Sequence, residues 1–364
     1  MSLPTYEEAL HYWREFERYL VETRYSIRDE NGVPLEHSYD DIINRVANWI
    51  TSKDTIEKLP ESLQPFVNDR LQDIKTALLN KYIILATPVL MNGGSRSRRL
   101  GYFSCFPLGY VEDSIDDIMK KAKLMADIYL KGGGAGINIS KLRSKGSLVD
   151  NHQGFASGPV SFLQIFDSIA GTISQGGRRR GALMVDCSEN NLDWEDFINC
   201  KSRNKQTLQN MNISLDIEDD LSENVINKVA KSIWECGDPG LIFIRNAYNN
   251  TPIPRELDPR HVNPCSEYMS VAMTACNLLS VNVTKLAKIS NSILHLMELI
   301  DNASYLSCII GTILIYQEEG YPDETIKSNN LQYRPVGIGM LGLHGAMIRS
   351  NIEYNSESGL LFVE

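Results

Sequence analysis

From residue 83 onward, short apolar runs alternate with longer amphipathic stretches, and this alternation constrains the fold more than any other feature of the chain. The runs are IILATPVL (83–90), GYFSCF (101–106), GAGINI (134–139), GALMVD (181–186) and LIFI (241–244). Among them lie DSIDDIMKKAKLMADIYL (113–130) and VSFLQIFDSIAGTI (160–173), whose apolar residues recur at helical spacing. Strand-length runs separated by helical patterns predict an α/β architecture built on a parallel sheet. The first eighty residues read differently. In FVNDRLQDIKTALLNKYI (66–83), Phe66, Val67, Leu71, Ile74, Leu78 and Tyr82 keep a helical stripe, with Pro65 where a helix start tolerates it. RDENGVPLEH (28–37) is a turn-rich connector. The expected organisation is a helical region over 1–82 followed by an α/β region over 83–364.

Charge and cysteine usage narrow the function classes. A net charge of −10 argues against nucleic acid as a general partner, so any phosphate must be met by a local basic cluster. The N-terminal MSLPTYEEALHYWREFERYL has early acidic residues and no unbroken apolar stretch, unlike a signal peptide. No segment approaches the ~18 apolar residues that a spanning helix needs. Seven cysteines, odd in number and scattered, fit reduced thiols in a cytoplasm and point to catalytic rather than structural use.

The stretch HVNPCSEYMSVAMTACNLLSVN (261–282) sets Cys265 between Asn263 and Glu267 and adds Cys276. A metal site, a nucleophilic thiol, a disulfide and a packed core thiol all compete for Cys265. Zinc sites show close Cys or His pairs, and no two cysteines here are two to four residues apart. His261 and Cys265 are spaced i, i+4, but Pro264 breaks a helix there; no metal site is expected. For Cys187, Cys200, Cys236 and Cys308 a buried, inert thiol is the default.

Two glycine-rich stretches are weaker signals. VGIGMLGLHG (336–345) has Gly337, Gly339 and Gly342 in dinucleotide-fingerprint spacing, without the acidic residue and second strand that the fingerprint requires. It reads as a strand followed by a close-packed helix start. DNHQGF (150–155) is a coincidental near-match to a cobalamin-binding signature. SQGGRRRGALM (174–184) is more informative, because it packs Arg178, Arg179 and Arg180 between glycines in an acidic chain. It is either a solvated basic turn or a loop that grips a phosphorylated ligand.

Taken together and in order, ATPVLMNGG (86–94), FSCFPL (103–108), GGGAGINISKLRSKG (132–146), ASGPVSFLQIFD (156–167), QGGRRRGA (175–182), CGDPGLIFI (236–244), NPCSE (263–267), ACNLLSVN (275–282) and RPVGIGMLGLHG (334–345) resemble the large catalytic chain of ribonucleotide reductases. The spelling is most similar to the adenosylcobalamin-dependent class II enzymes. The resemblance implies part of a ten-stranded α/β reductase barrel with a finger loop at about 261–282. It implies that Cys265 becomes a transient thiyl radical, that Glu267 acts as general base and Asn263 positions the ribose, and that Cys105 and Cys276 are the reducing pair. Thr87, Ser104 and Gly134 are expected to line the substrate pocket. Asp113, Ser114 and Arg143 match an effector site for a deoxynucleoside triphosphate or ATP, and Gly176, Gly177, Arg178, Arg179 and Arg180 match the loop that carries effector identity to the substrate.

The implied cofactor is adenosylcobalamin. The implied partners are a ribonucleotide diphosphate or triphosphate, a second copy in a homodimer, and a thioredoxin- or glutaredoxin-type reductant, with neither membrane nor nucleic acid. By the same resemblance the chain is expected to stop early in the barrel's second half, before the phosphate loop. It is then inactive until a separately encoded C-terminal half is supplied. The rival readings are a class I large chain, fed its radical by a small subunit, and a non-catalytic nucleotide-binding remnant.

Overall fold

The structure, a computed structural model, describes residues 6–95, 101–149, 154–175, 179–202, 208–218 and 221–363. Two compact units divide the chain. One comprises Met1–Arg98, Asn277–Gly320 and Tyr333–Glu364, the other Arg99–Cys276 and Tyr321–Gln332.

The second unit is organised by five parallel strands: β1 (Cys105–Tyr110), β2 (Gly134–Asn138), β3 (Leu183–Ser188), β4 (Met211–Ile217) and β5 (Gly240–Phe243), adjacent in that order. Helices connect them, among them α1 (Ile115–Leu130) and α2 (Pro159–Thr172). Helix α1 begins where the Ser114 hydroxyl accepts the Asp117 N–H at 3.2 Å, with Asp116 and Asp117 complementing the helix dipole. Its buried Ile118, Ala122, Met125 and Tyr129 repeat at helical spacing.

The two faces of this sheet differ in chemistry. Phe106, Leu108, Ala135, Ile137, Val185, Ile213 and Leu215 point into one apolar core with Met125, Leu163 and Phe166 of the helices. By strand alternation Cys105, Gly134, Gly136, Asn138, Asp186, Ser214 and Asp216 point the other way. That second face is small and polar, and every one of these strands except β5 and parts of β1 and β4 is buried.

The first unit holds helices, including Tyr39–Ile50, Leu71–Leu79 and Ile293–Ile315, and a three-stranded sheet. In that sheet Leu278–Asn282 runs antiparallel to Ile83–Leu85 and parallel to Gly337–Leu341. Arg45 pairs with buried Glu36 (Nε–Oε1 2.7 Å) and donates to the Leu90 carbonyl at 2.9 Å.

Several local expectations change. IILATPVL is a strand only over Ile83–Leu85; Thr87–Asn92 is a helix with Pro88 in its first turn, where a missing N–H costs nothing. The stripe over 66–83 breaks into two helices, Gln64–Asn68 and Leu71–Leu79. Strand β4 was not among the expected strands. Its MNISLDI alternates apolar and polar residues, because one side of it joins the core and the other the polar face. VGIGMLGLHG is, as read, a strand followed by a helix, with Gly342 at φ +78 as its N-cap. Contrary to the expectation from the sequence, Ile293–Ile315 is a helix long and apolar enough to cross a membrane by length and composition, with Glu298 and Asp301 as its only acidic residues. Leu296, Ala303, Ile309, Ile310, Ile313 and Leu314 of that helix are buried in the first unit.

Candidate active site

On the polar face of the sheet lies a short hairpin, His261–Val262 (β6) against Met269–Ser270 (β7). Val262 and Met269 anchor it in a small apolar cluster with Met184, Ile242 and Ile244. The approach is so close that only glycine fits beneath it. A Cβ on Gly136 would lie 2.0 Å from the Val262 carbonyl oxygen, and one on Gly134 2.8 Å from Pro264 Cγ. The GGGAG stretch is thus the bed of the NPCSE turn.

Asn263, fully buried, ties that turn together. Its Oδ1 accepts the Tyr268 N–H at 3.1 Å, its own N–H reaches the Tyr268 carbonyl at 3.3 Å, and its carbonyl accepts the Ser266 N–H at 3.0 Å. Ser266 takes φ +62 at the bend. Asn263 Nδ2 donates to Glu267 Oε1 at 2.7 Å, so the amide orients the carboxylate. Cys265 and Glu267 are exposed at the tip.

Cys105 lies beneath them, 5% exposed, its thiol hydrogen-bonded to Cys265. The two sulfurs and a Glu267 carboxylate oxygen lie within 4.8 Å of one another. Cys276 joins from the other side: it forms an isolated antiparallel bridge with Cys105, its N–H donating to the Cys105 carbonyl at 2.8 Å. Facing residues in antiparallel pairs are typically about 4.5–5.5 Å apart at Cα, inside the ~4.4–6.8 Å span a disulfide needs. All seven cysteines are in the thiol form. The pair meets at a single bridge rather than on two neighbouring strands, because the backbone around Cys276 is held by side chains. Buried Asn330 accepts the Ala275 N–H at 2.7 Å and donates to its carbonyl at 3.2 Å, and Asn329 donates to the Met273 carbonyl at 3.0 Å. Sequence reasoning missed these asparagines, since nothing local marks residues 55 positions away. It also missed the chain of hydroxyls in which Ser270 donates to the Tyr268 oxygen at 2.7 Å.

Both inner thiols hold their protons. The hydrogen bond to Cys265, then burial, pushes Cys105 well up; burial, then the Glu267 charge, pushes Cys276 up to about 12. They are poised as hydrogen donors rather than as thiolate nucleophiles.

The remaining sequence-derived residues fall in several places. Ser104 is buried, its carbonyl accepting the Gly134 N–H at 2.8 Å. Thr87 begins a helix of the other unit. Asp113, Ser114 and Arg143 do come together, lining a 280 Å³ cavity with Ile118, Leu142 and Phe155. There the Arg143 guanidinium Nε donates to Asp113 Oδ2 at 2.6 Å and Nη1 to the Leu148 carbonyl at 3.1 Å. Gly176, Gly177 and Arg178 lie outside the described residues, while Arg179–Arg180 pair as a short antiparallel ladder with Ser174–Gln175. Of the cysteines expected to be buried, Cys187 is, Cys200 and Cys236 are half-buried, and Cys308 is exposed on the solvent side of its helix.

Residues 16–98 match the family model of the ribonucleotide reductase all-alpha domain, and residues 103–228 and 221–364 that of the ribonucleotide reductase barrel domain. The chain is 30% identical to the vitamin B12-dependent ribonucleoside-diphosphate reductase of Thermoplasma acidophilum, over 88% of this chain and 45% of that protein. It is 27% identical to the protein of the same description from Mycobacterium tuberculosis (strain CDC 1551), over 94% of this chain and 51% of that one. A ribonucleoside-diphosphate reductase subunit alpha from Chlamydia muridarum is 24% identical over 77% of this chain and 32% of that one. The chain spans about half the length of the first two relatives.

Proposed function

The chain belongs to the ribonucleotide reductases, as a class II-type catalytic chain, and from that premise we propose that its thiol cluster reduces ribonucleotides to deoxyribonucleotides by radical chemistry at Cys265. The observation that carries this reading is the convergence of Cys105, Cys265 and Glu267 within 4.8 Å, with Cys276 bridged to Cys105. In the proposed reaction the Cys265 sulfur, as a thiyl radical, takes the hydrogen atom from the ribose 3′ carbon. Glu267, oriented by Asn263, accepts the 3′-hydroxyl proton and so assists departure of the 2′-hydroxyl. The 2′-oxygen leaves as water with a proton from the inner pair. Cys105 and Cys276 together give up two protons and two electrons as their disulfide forms, and Glu267 returns its proton to the 3′-oxygen. Cys265 then returns its hydrogen atom to the 3′ carbon, so the balance is one ribonucleotide and two thiols to one deoxyribonucleotide, one disulfide and one water.

The site suits a radical delivered from outside, because the Cys265 residue is exposed while the reducing pair beneath it is buried. Adenosylcobalamin, when bound, would supply the one-electron chemistry that generates that radical. The vitamin B12-dependent relatives favour this over a radical sent from a small subunit. Thr87, Ser104 and Gly134 are assigned to substrate binding, on part of a ten-stranded barrel in which residues 261–282 form the finger loop. Residues 1–82 are assigned to the helical region and 83–364 to the barrel. The cavity at Asp113, Ser114 and Arg143 is assigned to a nucleoside triphosphate effector in a homodimer, with a thioredoxin- or glutaredoxin-type protein as reductant and the cytoplasm as location.

Two measurements test the assignment. In the catalytic protein containing this chain, supplied with adenosylcobalamin, dithiol and nucleotide, Cys265→Ser should lower deoxynucleotide formation at least about a hundredfold, several kcal/mol of barrier. One turnover without external reductant should leave Cys105 joined to Cys276 on peptide mapping. A Cys265→Ser variant that keeps its rate, or a bridge from Cys105 to another cysteine, would overturn the reading.

A further inference from the structure

Sequence spacing argued against a metal site because no cysteines are close neighbours in the chain. The fold nevertheless gathers three possible metal donors from distant positions. Cys105 Sγ, Cys265 Sγ and a Glu267 carboxylate oxygen are mutually within 4.8 Å, the one such donor group among the described residues. We propose that the reduced site is also an inhibitory site for a thiophilic divalent cation of the zinc type, held by Cys105, Cys265 and Glu267 with its fourth position open to water.

The donor set and geometry suit that ion. Cysteine thiolate and carboxylate oxygen are both zinc ligands, with Zn–S near 2.3 Å and Zn–O near 2.0–2.2 Å, and three protein ligands around an open fourth position is the pattern of accessible zinc sites. Tetrahedral angles at those bond lengths put the two sulfurs about 3.8 Å apart, so the observed spacing closes by side-chain rotation of about 1 Å at most. Asn263 Nδ2 holds Glu267 Oε1 and leaves the other carboxylate oxygen for a metal, the supporting hydrogen bond that metal-bound carboxylates require. Buried Cys105 forms the floor, and exposed Cys265 and Glu267 form the entrance.

Binding breaks two S–H bonds, releases two protons to solvent and forms two Zn–S bonds and one Zn–O bond; nothing is oxidised or reduced. The hydrogen bond and burial that hold the proton on Cys105 are what a cation reverses, since a coordinated thiol is deprotonated outright. Affinity should therefore rise with pH. With the ion in place the Cys265 sulfur is unavailable, so the metal form is inactive and protected from oxidation.

Titration of the fully reduced chain with Co²⁺, followed by Zn²⁺, tests this without nucleotide or cobalamin. About one equivalent of Co²⁺ per chain should give thiolate-to-metal charge-transfer absorption that Zn²⁺ abolishes. The band should vanish in Cys105→Ser and in Cys265→Ser and persist in Cys308→Ser. In the unmodified chain Zn²⁺ should slow alkylation of Cys265 about tenfold or more, with exposed Cys308 unchanged as internal reference. No thiolate band at one equivalent, a band that survives both serine variants, or an unchanged Cys265 alkylation rate would each overturn the proposal. Since neither readout requires turnover, failure here leaves the ribonucleotide reduction reading standing, and failure of that reading leaves this site standing.

Discussion

Cys265 and Cys308 are both exposed cysteines, yet only Cys265 has a second sulfur and a carboxylate within 4.8 Å. At the scale of single residues, neighbours rather than identity decide chemistry. The same holds for Asp186 and Asp216, which sit 2% and 4% exposed on the polar sheet face. Burial, with Asp216 close by, raises the Asp186 pKa well above a carboxylate's ordinary value. Burial also raises Asp216 to about 7, against the lowering effect of the Asn138 hydrogen bond at 2.8 Å. Glu218 raises Asp216 further and Arg260 lowers it. A folded-state pKa above the unfolded value means stability that is complete below about pH 4 and lost as pH rises toward 7. His261 works in the opposite sense: burial lowers it to about 4, so its contribution is lost as pH falls through that value. Comparing variant with wild type separates the two. Asp216→Asn keeps an acceptor for Asn138 and removes the ionisation, so the fall in urea midpoint from pH 5 to pH 8 should be smaller than in the wild type. An equal fall in both proteins would show that Asp216 is not the titrating group.

At the scale of elements, strand β2 and the β6–β7 hairpin approach closely enough to exclude a side chain between them. A methyl group on Gly136 would meet the Val262 carbonyl oxygen at 2.0 Å, and backbone cannot yield as a flexible side chain can. Gly136→Ala should therefore cost about 2 kcal/mol or more, and should lift the NPCSE turn off the sheet. Thermal unfolding reads the first effect; a changed alkylation rate at buried Cys105 reads the second. Gly146, at φ +84 with nothing within 4 Å of an added Cβ, provides the comparison, since Gly146→Ala strains only its own backbone. If Gly136→Ala is no more costly than Gly146→Ala, the hairpin is not seated as described.

On the scale of the whole molecule, the proposed effector assignment rests on which residues share the cavity beside helices α1 and α2. Arg143 is engaged there by Asp113 at 2.6 Å and by the Leu148 carbonyl at 3.1 Å. In the proposed effector site a triphosphate would draw the guanidinium from that carboxylate, and a neutral side chain cannot replace its forked donors. Losing charge-assisted hydrogen bonds costs about 1.5–3 kcal/mol, so Arg143→Ala should weaken deoxynucleoside triphosphate binding roughly ten- to hundredfold, measured by equilibrium binding. Unaltered affinity would place the effector elsewhere.

What the sequence determined by itself is local. Alternating runs marked β2, β3 and the helices, because burial on both sides of a parallel strand writes itself as a short apolar run. The Asn-Pro-Cys-Ser-Glu order already placed Asn263 within one turn of Glu267. Strand β4 escaped notice, since its polar half looks like surface until the sheet's second face is seen to be Asp186, Ser214, Asp216 and Asn138. The pairing of Cys105 with Cys276 was legible only through the family resemblance, and tertiary structure alone decided that a single bridge joins them, that Asn330 fixes the backbone there, and that Gly134 and Gly136 make the bed of the turn. Those relations join residues far apart along the chain. Local periodicity carries no information about which distant backbones approach, so only the folded packing could supply it.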